Sequence, residues 1–183
     1  MSKYLQRGCY HFQEFANPNT TYAKHVDDLI DRLRDKAPFF DRALDPTVYE
    51  IGCGEGLILL QIQLRLRWRV IGSDIDPIAL SMASRLNPLG HFHQVLVGPD
   101  PCDVRGIDVV LFCDSLEHIK GWKEQLEVAK QKAKCIVIAV PDRHDPHGER
   151  DFAPDFADAI LSGWEIAHRA TRHARHLTIW KKP

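Results

Sequence analysis

Apolar positions along the chain fall into two kinds of run. Val26, Leu29, Ile30 and Leu33 recur at helical spacing, with Thr20 or Thr21 placed to cap the helix start and Pro38 near its end. Leu57 to Leu66 is apolar apart from its glutamines and Arg65, enough for a buried helix of about three turns. Asp76 followed by Pro77 is an N-cap and first-position pair that opens a helix through Leu86, and Ile119 to Lys132 predicts another. Between these lie short β-rich runs: Thr47–Ile51, Trp68–Asp74, His93–Val97, Asp108–Cys113 and Cys135–Val140. The unbroken apolar character of Asp108–Cys113 suits a strand covered on both faces. Strands alternating with helices predict a doubly wound, mostly parallel α/β sheet. The tail departs from that rhythm, with a predicted helix over Phe152–Leu161. Two strands follow, Gly163–His168 and His176–Trp180, joined by a short basic turn, so the sheet gains an antiparallel C-terminal hairpin and seven strands in all. The segment between the third and fourth strands is too short for a full helix. Residues 1–22 read as an irregular arm or short helix followed by a turn.

At 183 residues the chain is the size of one domain. A chain this long can bury roughly 70% of its unfolded surface without a disulfide or metal staple. The five cysteines are scattered with no CxxC pair, which points to free thiols in a reducing cytoplasm and away from a zinc ribbon or secreted scaffold. A formal net charge of −1 argues against nonspecific nucleic-acid binding. No apolar run reaches a membrane span, and the N-terminal residues lack the apolar centre of a signal peptide.

The chemistry concentrates in Glu50-Ile51-Gly52-Cys53-Gly54-Glu55-Gly56, directly after the first strand and opening a helix. Glycines there let the backbone turn tightly and approach a ligand, and the helix start presents unpaired N–H groups. A dinucleotide fingerprint wants its third glycine where Leu57 stands, and the Walker A Lys followed by Ser or Thr is missing. Asp74, ending the second strand, is placed to accept both hydroxyls of a ribose lying over the loop, with Ile75 offering an apolar face to a base.

Together, the loop, Gly72-Ser73-Asp74-Ile75-Asp76-Pro77 and Asp114-Ser115-Leu116-Glu117-His118 resemble the class I S-adenosylmethionine-dependent methyltransferases, over about residues 46–182. The third motif is similar to the group acting on small molecules, quinones and sugars. The resemblance implies a Rossmann-like domain over residues 46–183, capped by residues 1–45. It also implies that Glu50, Gly52 and Gly54, in a loop with Cys53 and Gly56, hold the methionine end of S-adenosylmethionine. Asp74 would hold the ribose and Ile75 the adenine. Asp100, after the third strand, would be a further adenine contact, while Cys113 and Asp114 would line the sulfonium pocket. The cysteines there are packing residues, not nucleophiles.

Methyl transfer is an in-line displacement, and a base is needed only when the acceptor starts protonated. His118 after the fourth strand and His144 after the fifth stand at the sheet edge where open α/β folds bind ligands, and both are candidate catalytic bases. His147, and more weakly His11, Tyr22 and His25 in a lid, are further candidates. Asp114, Glu117 and His118, joined by His144 or His147, also resemble the ligand set of metal-assisted quinone and RNA 2′-O-methyltransferases. The same motif occurs in relatives without metal, and Asp stands here where the metal families carry Glu, so no metal ligand is assigned. Neither a Pro-Cys after the fourth strand nor an Asp-Pro-Pro-Tyr marks a DNA methylase. The basic tail, with Arg169, Arg172, Arg175, Lys181 and Lys182, reads as a solvated hairpin or a contact for an anionic acceptor. The expected partner is a small-molecule, lipid-linked or glycan acceptor, met by a monomer or homodimer; a non-catalytic cofactor-binding subunit is the alternative from another class.

Overall fold

The computed structural model describes residues 16–36, 45–95, 100, 102, 104–142 and 151–183. Seven strands form one sheet: β1 (Thr47–Ile51), β2 (Arg69–Asp74), β3 (His91–Gln94), β4 (Val109–Cys113), β5 (Cys135–Pro141), β6 (Glu165–Arg172) and β7 (Arg175–Lys181). Their order is β3-β2-β1-β4-β5-β7-β6. The first five run parallel, and β7 lies antiparallel to both β5 and β6. Four α-helices are described: α1 (Thr21–Lys36), α2 (Leu57–Leu66), α3 (Pro77–Leu86) and α4 (Trp122–Lys132).

Local chemistry sets the helix starts as expected. The Thr20 hydroxyl accepts the Ala23 N–H at 3.1 Å at the head of α1, and Asp76 accepts the Ile78 N–H at 2.8 Å ahead of Pro77 in α3. The central strands β1 and β4 are buried at every position, which their continuous apolar runs require. Two cores form, one on each face. Val26, Leu29, Ile30 and Leu33 of α1 join Ile58, Leu59, Val48 and Leu111 in one, so α1 is packed onto the sheet with α2. Tyr49, Phe112, Leu126 and Ile138 anchor the other.

The structure changes several boundaries. Phe152–Leu161 is a succession of turns, not a helix: Phe156 N–H bonds Ala153 O at 3.1 Å and Asp158 N–H bonds Asp155 O at 3.0 Å. Phe152 and Phe156 stack at 4.0 Å beside Trp122, and that aromatic packing sets the path of the turns. The third strand begins at His91, where Ile71 pairs with it, two residues before the expected start. The helix expected from Ile119 begins at Trp122, because Leu116–His118 first closes a 3-10 turn. The last hairpin turns through His173 and Ala174, both left-handed (φ 50° and 59°), without the Gly or Asn that usually announces such a turn.

The chain winds outward from β1 through β2 to β3, then returns to β4 on the other side of β1. The crevice at the carboxyl ends of β1 and β4 is therefore the topological switch point, the place where open α/β sheets bind ligands.

Candidate active site

The glycine loop occupies that switch point. Gly52, Gly54 and Gly56 all have positive φ (76°, 52° and 70°), a conformation that costs other residues about 1–2 kcal/mol. At Gly52 a side chain is excluded outright, since a Cβ would stand 2.5 Å from the Ser115 Cβ. The end of β2 clasps the loop from below. Ser73 O accepts the N–H groups of Gly52 and Cys53 at 2.8 and 2.9 Å, and the Asp74 carboxylate accepts that of Gly54 at 2.8 Å. Three successive loop amides are thus held by two successive residues.

Asp74 is buried, and its second oxygen accepts the Asp76 N–H at 2.9 Å. Beside it Ile75 is 70% exposed, an apolar surface left open next to a carboxylate, as a ribose and base would require. Asp100 is placed differently. It is 2% exposed and its carboxylate accepts from the Tyr49 hydroxyl at 2.6 Å, the Ser73 hydroxyl and the Cys102 N–H at 2.8 Å. The adenine contact expected of Asp100 finds no support in that enclosed placement.

Toward α1 and the end of β4 the crevice is a cavity lined by Glu50, Gly52, Gly54, Tyr22, Cys113 and Asp114. Glu50 is 2% exposed, and its Oε2 has no hydrogen-bond partner. Burial pushes its carboxyl well above the usual carboxylate range, and the nearby Asp74 and Asp114 push it further. Burial also raises Asp74, against the backbone N–H bonds that favour its charged form. Asp114, with left-handed φ (50°), is paired with Arg175 of β7, Nε to Oδ1 at 2.6 Å and Nη2 to Oδ2 at 3.0 Å. The Glu50 carboxyl converges with those of Asp74 and Asp114 and keeps Oε2 without a hydrogen-bond partner, and the ammonium of an amino acid beside a sulfonium would supply both donor and charge there. The residues present therefore fit S-adenosylmethionine.

Sequence reasoning placed the loop, Asp74, Ile75, Cys113 and Asp114 at this crevice, and the structure brings them together there. It did not single out Arg175 as the partner of Asp114, and no local pattern joins residues 61 apart. Tyr22 and His25 of α1 do reach the site. His25 Nε2 lies 3.4 Å from the Cys113 Sγ, and burial pulls its pKa down to about 4, so the ring is neutral near pH 7. Burial pushes the Cys53 and Cys113 thiols well up, which keeps both as packing groups. His118 sits on the 3-10 turn after β4, partly exposed, its Nε2 3.9 Å from Glu117 Oε1. His144 and His147, like His11, lie outside the described residues. Among the described residues no three His, Cys, Asp or Glu side chains gather as a metal site. No described helix is long and apolar enough to cross a membrane.

Residues 49–135 match the family model described as "Methyltransferase domain". No curated protein matches the sequence significantly. Among solved structures, the fold is similar to magnesium protoporphyrin IX methyltransferase from Synechocystis PCC 6803 with bound S-adenosylhomocysteine (TM-score 0.68, 17% identity, 89% of this chain and 84% of that one). It is also similar to an S-adenosylmethionine-dependent methyltransferase from Clostridium acetobutylicum ATCC 824 (TM-score 0.70, 12% identity, 97% and 98%). A TehB-like methyltransferase from Corynebacterium glutamicum ATCC 13032 Kitasato aligns with TM-score 0.61 at 17% identity over 88% of this chain and 100% of that one. The methyltransferase match thus falls on residues 49–135, and the fold is the one these solved methyltransferases share.

Proposed function

We propose that the chain transfers a methyl group to a small-molecule acceptor by in-line displacement, with the acceptor entering between α1, the turn after β4 and the β6–β7 hairpin. The observation that carries this reading is the Asp74 carboxylate, bonded to the Gly54 amide and flanked by exposed Ile75, opposite the unpartnered Glu50. S-adenosylmethionine, when bound, supplies an electrophilic methyl group. The chain's own part is positioning: Asp74 orients the ribose, Glu50 and the loop amides orient the amino acid end, and Tyr22 with Cys113 shields the reacting side from water. Positioning of this kind can supply up to about 7–11 kcal/mol of a barrier. His118 is the candidate base for a hydroxyl acceptor, with His144 as the second candidate from the loop after β5.

A small acceptor is favoured over a polyanion because much of the tail's positive charge is already spent. Arg169 pairs with Asp158, Arg175 with Asp114, and Lys181 with Glu165 at 2.9 Å. Neighbouring folds include proteins described as carbon methyltransferases and one acting on magnesium protoporphyrin IX, so the fold itself leaves the acceptor atom open.

Calorimetry with S-adenosylmethionine and S-adenosylhomocysteine tests the cofactor half: both bind, and absence of binding by either sinks the reading. Transfer of a labelled methyl group to a panel of small hydroxyl, amine and carboxylate acceptors, with RNA and DNA alongside, tests the rest. Label appearing only in nucleic acid would overturn the small-molecule assignment.

A further inference from the structure

A buried polar network stands behind the site and the reaction does not use it directly. Tyr49 in β1, Ser73 in β2, Asp100 and Gln125 of α4 are all buried, on an otherwise apolar face of the sheet. Asp100 sits at the centre. Its backbone N–H donates to Gln125 Oε1 at 2.6 Å and its carbonyl accepts from Gln125 Nε2 at 3.0 Å, so α4 holds it by a reciprocal pair. Its carboxylate gathers the Tyr49 and Ser73 hydroxyls and the Cys102 N–H. Tyr49 spends its one proton on Asp100, so His93 Nε2, 2.8 Å from the phenol oxygen, must be the donor there.

Such a network is costly unless every member is satisfied, and its placement shows what it supports. Ser73 is the residue whose carbonyl holds the Gly52 and Cys53 amides, and Asp74, next in sequence, holds the Gly54 amide. Fixing the Ser73 side chain therefore fixes the peptide that carries both the loop anchor and the ribose carboxylate.

We propose that Asp100 is a positioning residue for the cofactor loop, acting through Ser73 and not by contact with the adenine. The loop amides and Asp74 have to hold a ligand at hydrogen-bond tolerance, and a short misplacement weakens every contact at once. Asp100 sets the Ser73 rotamer and the tilt of the last peptide of β2. Asp100, between β3 and β4 in sequence, thereby braces the end of β2 from the face that carries α4.

The inference rests on the cofactor reading, and two measurements separate them. The first needs no ligand: amide exchange in Ser73→Ala and Asp100→Asn. The Gly52 and Cys53 amides exchange faster in both variants, while Leu111 and Val137 amides in the central strands stay protected. Unchanged Gly52 and Cys53 exchange in both overturns the proposal. Ser73→Ala removes one hydroxyl, so it remains informative should Asp100→Asn fail to fold. The second is calorimetry with S-adenosylhomocysteine and S-inosylhomocysteine, which differ at the adenine amino group. Losing one hydrogen bond of ordinary strength weakens S-adenosylhomocysteine about 3–10-fold in each variant. The double variant is no weaker than the worse single one, because both act along one path. The affinity ratio of the two ligands stays at the wild-type value. A ratio that collapses toward one in Asp100→Asn would mean direct adenine contact and overturn the proposal, as would a lowered melting temperature with unchanged affinity. Wild-type protein that binds neither ligand refutes the cofactor reading, while the exchange result still decides the role of Asp100.

Discussion

The two sides of the crevice are built from different materials. The side under the glycine loop is made of backbone: three left-handed glycines, three amides clasped by Ser73 and Asp74, and a helix start. The side toward β4 and β5 is made of side chains delivered from three distant places: Tyr22 and His25 from α1, Asp114 from the end of β4 and Arg175 from β7. A backbone site serves one constant ligand and tolerates no side chain where the chain turns. A side-chain site can be rewritten residue by residue, as a variable acceptor demands. The comparison predicts that substitutions on the first side strike cofactor binding, and those on the second strike turnover.

Gly52→Val should have the largest effect. It combines a left-handed φ with a Cβ 2.5 Å from Ser115, and branching adds to the collision. The expected outcome is a loss of about 2 kcal/mol or more in stability. S-adenosylhomocysteine affinity should fall beyond about 100-fold, read by denaturant melts and calorimetry. Tight binding by this variant would break the claim that the loop side is backbone-built. Asp74→Ala comes next. It removes the carboxylate proposed to hold the ribose and leaves the Gly54 amide without its partner, so affinity should fall about 10–100-fold, in the range of hydrogen bonds to a charged group. Unchanged affinity would remove Asp74 from the site.

On the other side, Arg175→Gln opens the ion pair to Asp114. Expected are cofactor affinity within about three-fold of wild type and turnover on a small acceptor down about ten-fold, because a displaced Asp114 disturbs the reacting side of the crevice. The reverse split, with affinity lost and turnover per bound complex kept, would show that the pair serves the cofactor.

The same division explains what could be read in advance. Alternating apolar runs located seven strands, and Thr20, Asp76 and Pro77 announced two helix starts, because period and caps are local signals. The placement of the loop and Asp74 at the crevice was legible because turning glycines and a carboxylate ending a strand are local signals. Arg175 was not, since the sheet order alone brings β7 beside β5 and its first residue to Asp114. Asp100 was legible as an acidic residue after the third strand, but its direction depends on Tyr49 and Gln125, 51 and 25 residues away. Phe152–Leu161 carried a helical apolar pattern and still folded as turns, with aromatic packing on Trp122 outweighing propensity.

Glu50 tests the comparison most finely, since it is a side chain on the backbone-built side. Burial, followed by Asp74 and Asp114, raises its folded-state pKa well above the usual range. In the unfolded chain the group titrates near its ordinary value of about 4.3. Between those two values the folded protein holds a proton that the unfolded chain has lost, so stability without cofactor falls as pH rises through that window. A cationic ligand favours the ionised carboxylate, so binding releases the proton and affinity rises with pH over the same window, by at most about one decade per unit. Because ionising Glu50 offsets much of what its attraction to the cation contributes, Glu50→Gln should weaken S-adenosylmethionine only a few-fold at neutral pH. The variant should also flatten the pH slope and melt at a higher temperature than wild type in the absence of ligand. Calorimetry across pH in buffers of different ionisation enthalpy counts the proton. A wild-type slope that persists in Glu50→Gln would assign the linkage to Asp74, whose pKa burial also raises. A variant that loses both stability and affinity would make Glu50 a structural part of the loop instead of a partner for the ligand's charge.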